Sequence, residues 1–315
     1  MATDFPGLSP AISQLAGGAK VDVGRLRADL AGPFDLSSDR RRAAGVFEMQ
    51  TTYSHFDSAG RKAGGESYVL HLRSLPADPA RAAQPYDCAG LEVQVGDAEL
   101  VSIPELTNWS YEFNPAQLSP LWGIPQERFS ALSDGARPLP FAVRYAAYVN
   151  FIDFHSINDV FTRPMAGGSG SIQDLTAIGQ SVQHPTAFME APITFGDEIK
   201  PGSTFRNGQV TLELKGLSVV DGSPCAILSF AAGDNTLKMI TVDASGRESM
   251  TDGCSQYKGD IDVDLATLWV RRASLDEYQV AETRGQASGP ASTEYTVRHI
   301  ILRVTAVDIT SPSRR

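Results

Sequence analysis

From Gly208 onward the chain alternates apolar and polar positions with a period of two. In GQVTLELKGLSVV, Val210, Leu212 and Leu214 fall on one side and Thr211, Glu213 and Lys215 on the other, the pattern of a half-buried strand. Asp221-Gly222 supplies a turn, since both residues tolerate the left-handed region, and CAILSF reads as the returning strand. The same rhythm continues through TLKMITVD, YKGDIDVDL, LWVRRASL, EYQVAET and EYTVRHIILRVTAV. Strands this close together leave no room for the helical crossovers that parallel pairing requires, so the sheet is expected to be antiparallel.

The first half carries the same signal with more interruptions. GVFEMQTTYSHF and ESYVLHLRSL flank the turn-forming DSAGRKAGG and predict a hairpin, and LEVQVGDAELVSI predicts a further strand. Asp22 to Leu30 predicts a short helix capped by Asp22 and ended by Gly32-Pro33. Two proline-bearing stretches, Ser74 to Asp87 and Ile103 to Pro140, are expected to be loops, because proline cannot donate to a ladder. FAVRYAAYVNFIDF, from Phe141, places Phe141, Val143, Tyr145, Ala147, Val149 and Phe151 in one phase and is expected to be a long central strand. After the breaks at Pro164 and the following glycines, Ser171 and Asp174 have the spacing of a helix start.

The expected fold is therefore mainly β. Antiparallel curved sheet, as a partial barrel or in the manner of lipocalins, is joined by a few short helices and long Pro-rich loops. The turn-rich stretch near residue 165 suggests an N-terminal β-rich domain over 1–165 and a C-terminal meander over 166–315, or one continuous unit. Asp57-Ser58-Ala59-Gly60-Arg61 and Asp243-Ala244-Ser245-Gly246-Arg247 are matching turns, a likeness that turn chemistry alone can produce.

Composition narrows the partners. With 27 basic and 37 acidic residues the net charge is −10, which disfavours nucleic acid, and Arg40-Arg41-Arg42 reads as a solvated run. The apolar runs are far shorter than the roughly 20 residues of a membrane-spanning helix, so a soluble protein without membrane insertion is expected. The opening MATDFPGLSPAISQLAGG has neither the basic leader nor the apolar stretch of an export signal; a cytoplasmic location is expected, an exported protein with its signal removed being the alternative. Cys88, Cys225 and Cys254 have no Cys-x-x-Cys spacing and read as free thiols.

Candidate chemistry gathers after the expected long strand. Asp153, His155 and Asp159 in DFHSIND have the composition of a proton-transfer pair, imidazole and carboxylate. Tyr145, Tyr148, Trp109, Trp122 and His184 are the candidates for lining a ligand cavity. No metal is expected, because neither His-x-His nor His-Glu-x-x-His occurs, and no cofactor motif is present: GGSGS lacks the lysine of a phosphate loop. Asp260, Asp262 and Asp264 alternate with apolar residues and are expected on a solvated face. The expected function is binding of an apolar or aromatic small molecule in a sheet cavity, the alternatives being a cofactor-independent enzyme using the His/Asp pair there and a protein-interaction module.

Overall fold

The computed structural model describes residues 32–37, 44–76, 83–117, 120–165, 168–285 and 291–308. The helix expected over Asp22–Leu30 and the Arg40–Arg42 run lie outside the described residues. Thirteen strands form one curved, unclosed antiparallel sheet, with few short helices. Its body is six long strands: β1 (Ala44–Phe56), β2 (Lys62–Ser74), β10 (Ser223–Val242), β11 (Glu248–Asp264), β12 (Val270–Gly285) and β13 (Ser292–Asp308). They lie in the order β2-β1-β13-β12-β11-β10, so the first and last described strands pair and both halves of the chain share the sheet.

Two further long strands, β3 (Gln84–Val95) and β9 (Gln209–Val220), and several short ones finish the two edges. β3 extends the β2 side and carries β4 (Val101–Ser102) and β5 (Trp109–Phe113). On the far side β10 pairs with β9 over one half of its length and with β8 (Thr204–Arg206) over the other. β6 (Ser181–Gln183) joins β9, and β7 (Glu190–Pro192) joins β8. Covering the sheet margins with short strands limits the unpaired backbone they expose.

Several expected segments merge or change type. CAILSF and TLKMITVD are one strand, β10, with a register shift between Ala232 and Asn235, and LWVRRASL and EYQVAET both run into β12. Trp109–Phe113, expected as loop, pairs with Gln84–Cys88, so the predicted loop over 74–87 already contains the start of β3. The segment at Ser171 makes only a 3₁₀ turn, Ile172–Asp174.

The largest correction concerns Phe141. The expected central strand is an α-helix. After the single turn α1 (Glu127–Ser130), α2 runs Phe141–His155 and continues as a π turn over Ser156–Val160. Val143, Ala147, Phe151 and Phe154 are buried along it at helical spacing. Because α2 is packed on more than one side, its apolar residues also satisfy a period of two, and periodicity alone does not separate the cases. Fifteen residues is ordinary for a helix and long for a strand.

α2 lies on the concave face and packs over its apolar half. Phe154 meets Phe47 and Tyr86 edge to face at 5.3 and 5.8 Å, Phe47 packs on Trp269, and the Tyr68 hydroxyl reaches the Val143 carbonyl. One glycine is sterically required here. A Cβ on Gly259 would lie 2.0 Å from the Ser274 carbonyl oxygen and 2.7 Å from the Phe230 ring, which fills the space above it. The convex face of the same strands is polar, with Lys258, Asp260, Asp276 and Arg303 turned outward.

The Asp260-Asp262-Asp264 series is also corrected. Asp260 is exposed, but Asp262 and Asp264 are buried and paired with Arg272 at 2.9 Å and Arg271 at 2.6 Å. Buried carboxylates are retained when an opposite charge and hydrogen bonds replace their hydration. Cys88 and Cys225 are buried free thiols, whereas Cys254 is free and exposed.

Candidate functional site

Register determines what the concave face displays, since directly opposed residues share a face. Across six strands, Leu70, Met49, Leu302, Ala273, Ile261 and Leu228 form one row. Two residues along each strand, Tyr68, Thr51, Ile300, Leu275, Gly259 and Phe230 form the next. Both rows lie in the packed core. The third row reads Glu66, Tyr53, Arg298, Glu277, Tyr257 and Ala232. The fourth reads Gly64, His55, Thr296, Gln279, Ser255 and Asn235. The inner face thus turns from apolar to polar at the third row, about 7 Å from the second, and its side chains become partly exposed.

Arg298 is the centre of that row. Its guanidinium pairs with Glu277 at 2.6 Å and with Asp153, which reaches down from α2, and it lies over the Tyr53 ring at 5.7 Å. Burial works against its charge, but the Asp153 and Glu277 carboxylates hold it protonated, well above the usual arginine value. Burial pushes the Asp153 carboxyl up to about 6; Arg298 opposes this and Glu277 adds to it. Burial likewise raises the Tyr53 phenol to about 12 and Tyr145 and Tyr257 higher still.

The neighbouring position is His55, whose ring nitrogens lie 2.8 Å from Glu66 and 2.8 Å from Glu294. Its hydrogen bond to Glu66 holds its pKa above the ordinary 6.5, burial opposing and Glu294 adding. Beyond it, Thr251 and Thr283 share a hydrogen bond of 2.8 Å toward the open end of the strands.

The predicted acid-base residues separate. His155 and Asp159 come together but inside the core: His155 Nδ1 is 2.8 Å from Asp159 Oδ2 and Nε2 is 2.8 Å from the Tyr111 hydroxyl, with both side chains fully buried. The Tyr86 hydroxyl donates to Asp159 at 2.9 Å, and Asn158 Nδ2 donates to Tyr86 at 3.1 Å. The π turn brings this about, because its extra residue turns Asn158 and Asp159 inward below His155. Burial lowers the His155 pKa, with Asp159 opposing, so the ring is held neutral. Phe113 stacks on the imidazole at 4.3 Å.

Of the expected ligand-lining residues, only Tyr145 borders the Arg298 group. Trp109 stacks on Tyr111 at 4.8 Å, Trp122 meets Phe113 edge-on at 5.7 Å, and Tyr148 packs between Phe129 and Phe195. His184 is buried against Phe161, its pKa lowered to about 4 by burial. Sequence reading passed over Arg298, Glu277, Tyr53, Glu66 and Tyr257. Its available signal was phase: Arg298 shares the parity of Ile300 and Leu302, and Glu277 that of Ala273 and Leu275, so each is a charge on the core side of its strand. Among the described residues no group of His, Cys, Asp and Glu is arranged to hold a metal ion.

No protein-family model and no curated protein matches the chain. Solved structures do. OccK2 of Pseudomonas aeruginosa, in complex with glucuronate, is 9% identical with a TM-score of 0.25, covering 85% of this chain and 100% of its own. A BenF-like porin from Pseudomonas fluorescens Pf-5 is 9% identical with a TM-score of 0.23, at 83% and 98% coverage. An outer membrane channel from Pseudomonas putida F1 is 9% identical with a TM-score of 0.19, at 90% and 100% coverage.

These findings correct four expectations, namely the cytoplasmic location, the description as soluble, the exclusion of membrane insertion, and the function with its enzyme and interaction-module alternatives. Several of the structures that match are porins or outer membrane channels, and a DUF1329 family protein from Desulfovibrio piger matches as well; α2 occupies the apolar half of the hollow expected for an apolar ligand. TM-scores this low carry no argument that the chain is itself a channel. Among the described residues no helix is long and apolar enough to cross a membrane, which says nothing of strands.

Proposed function

We propose that this chain handles a polar solute, taking it up and passing it on along the open half of the trough. The reading rests on one observation. The concave face changes at the Glu66-Tyr53-Arg298-Glu277-Tyr257 row from packed apolar residues to hydrogen-bonding ones, and the rows beyond it are partly open to water. A sheet that needed only a core would leave those rows apolar and cover them, because unpaired polar groups contribute nothing there and charges are costly to bury. Thr296, Gln279 and Thr251 offer the solute hydrogen bonds, and Asp153 and Tyr145 of α2 frame its inner end. His155 and Asp159 serve the core.

Binding titrations by NMR against polar solutes test this, with folding of each variant checked by circular dichroism. Saturable shifts confined to Tyr53, Tyr257, Gln279 and Thr296, and weakened in Gln279→Leu, are the expected result. Shifts mapping to the convex face instead, or binding indifferent to Gln279→Leu and Thr296→Val together, overturn the proposal.

A further inference from the structure

Resting on the reading of the trough as a solute site, we propose that the solute is a cation: an ammonium compound that also carries hydroxyl groups, docked between the third-row tyrosines and carboxylates. The first argument is charge. Among the described residues, Glu66, Glu277 and Glu294 from the strands and Asp153 from α2 face this region against Arg298 and His55, while Lys62 at the hairpin end is exposed. Four carboxylates against two cations leave two negative charges even with His55 protonated. Arg298 and His55 are each shared by two carboxylates, so every acid has a partner but half of a full complement of positive charge.

The second argument is independent of charge. Arg298 Nε in the third row and Ser255 Oγ in the fourth are buried without a hydrogen-bond partner, on residues each only 8% exposed. Unmet buried groups of this kind are uncommon. Nε can only donate and the serine hydroxyl can do either, so together they call for oxygens as well as a charge. The third argument is shape and chemistry: Tyr53 and Tyr257 flank the carboxylates, and Arg298 over the Tyr53 ring shows that the site already uses an aromatic face to hold a cation.

Three pyranoses of matched size separate charge from hydroxyl content: glucosamine, glucose and glucuronate, titrated into the full chain at low and high salt. Glucosamine is expected to bind at least about tenfold more tightly than glucose, the effect of roughly one favourable charge contact. Glucuronate is expected not to bind, and glucosamine affinity to fall with salt and by about tenfold in Glu66→Gln. Glucose binding as well as glucosamine, or glucuronate binding best, overturns the cation assignment and leaves the polar-solute reading standing. If none of the three shifts the Tyr53 or Tyr257 ring resonances at tens of millimolar, both readings fall. Because Glu66 is the most open of the third-row acids, its variant is the one chosen; Thr296→Val, an uncharged change in the same region, is expected to weaken all binding pyranoses alike.

Discussion

Arg298 and Glu277 stand directly opposite on β13 and β12, with 2.6 Å between Nη2 and Oε2, at the boundary between the packed and open parts of the concave face. The pair sits on the core side of both strands, where its neighbours one row inward are Ile300 and Leu275. Asp153 of α2 closes on the same guanidinium, so a single arginine ties the helix to two adjacent strands.

Removing that tie leaves two largely buried carboxylates without their counter-charge. Arg298→Met is expected to lower stability by about 3–5 kcal/mol in denaturant unfolding. Adding Asp153→Asn and Glu277→Gln to it should restore much of the loss, since the stranded charges are then gone. A single variant as stable as the wild type rules out the arginine as an anchor.

The pH dependence has two separable parts. Asp153 has its carboxyl raised from 3.8 to about 6, so between those values the folded state holds a proton that the unfolded state has lost. Stability is therefore expected to fall by up to about 3 kcal/mol as pH rises from about 4 to 6. His55 is also raised, from 6.5, so its contribution is complete below that value and is lost as pH rises above it. Asp153→Asn should flatten only the acidic slope and His55→Gln only the upper one, in unfolding curves taken across pH 4 to 8.

His155→Phe replaces an imidazole already stacked on Phe113 with a ring of similar size, but removes the Nδ1 contact to Asp159 and the Nε2 contact to Tyr111. We expect a loss of about 3 kcal/mol, mostly from the weakened pairing of a buried carboxylate. Solute binding by the folded variant should be unchanged, because the network is sealed from the trough. A specific loss of binding at unaltered stability would contradict that separation.

Gly259→Ala should destabilise by about 1–3 kcal/mol or more, since its methyl meets both the Ser274 carbonyl and the Phe230 ring. Thermal unfolding of this variant alone and combined with Phe230→Leu distinguishes the two contacts. If the second change recovers nothing, the backbone clash dominates.

Much of the sheet was legible along the chain. The alternation in VTLEL, the turn Asp221-Gly222, and the Asp57 and Asp243 turns are local features, and each turn is closed as its chemistry predicts. Asp57 Oδ1 accepts from the Ala59 and Arg61 amides, and Asp243 Oδ1 from those of Ser245 and Arg247. The helical state of Phe141–His155 was hidden, because a helix packed on the sheet on one side and on Phe129 and Phe195 on another loses the one-sided pattern that betrays its period. Asp153 and His155 were found as chemistry-bearing residues but assigned to one site, whereas the helix turns them to different sides.

By itself, then, the sequence determined most of the long strands, their antiparallel pairing and the curved, mainly β class, since these follow from contacts between near neighbours and from backbone preferences. Only the tertiary structure decided which polar residues meet. Glu66, Tyr53, Arg298, Glu277 and Tyr257 come from five strands spread over more than two hundred positions, and a row across a sheet is set by inter-strand register. One strand's alternation tells which way a side chain points; its neighbours are chosen by how every other strand is aligned beside it.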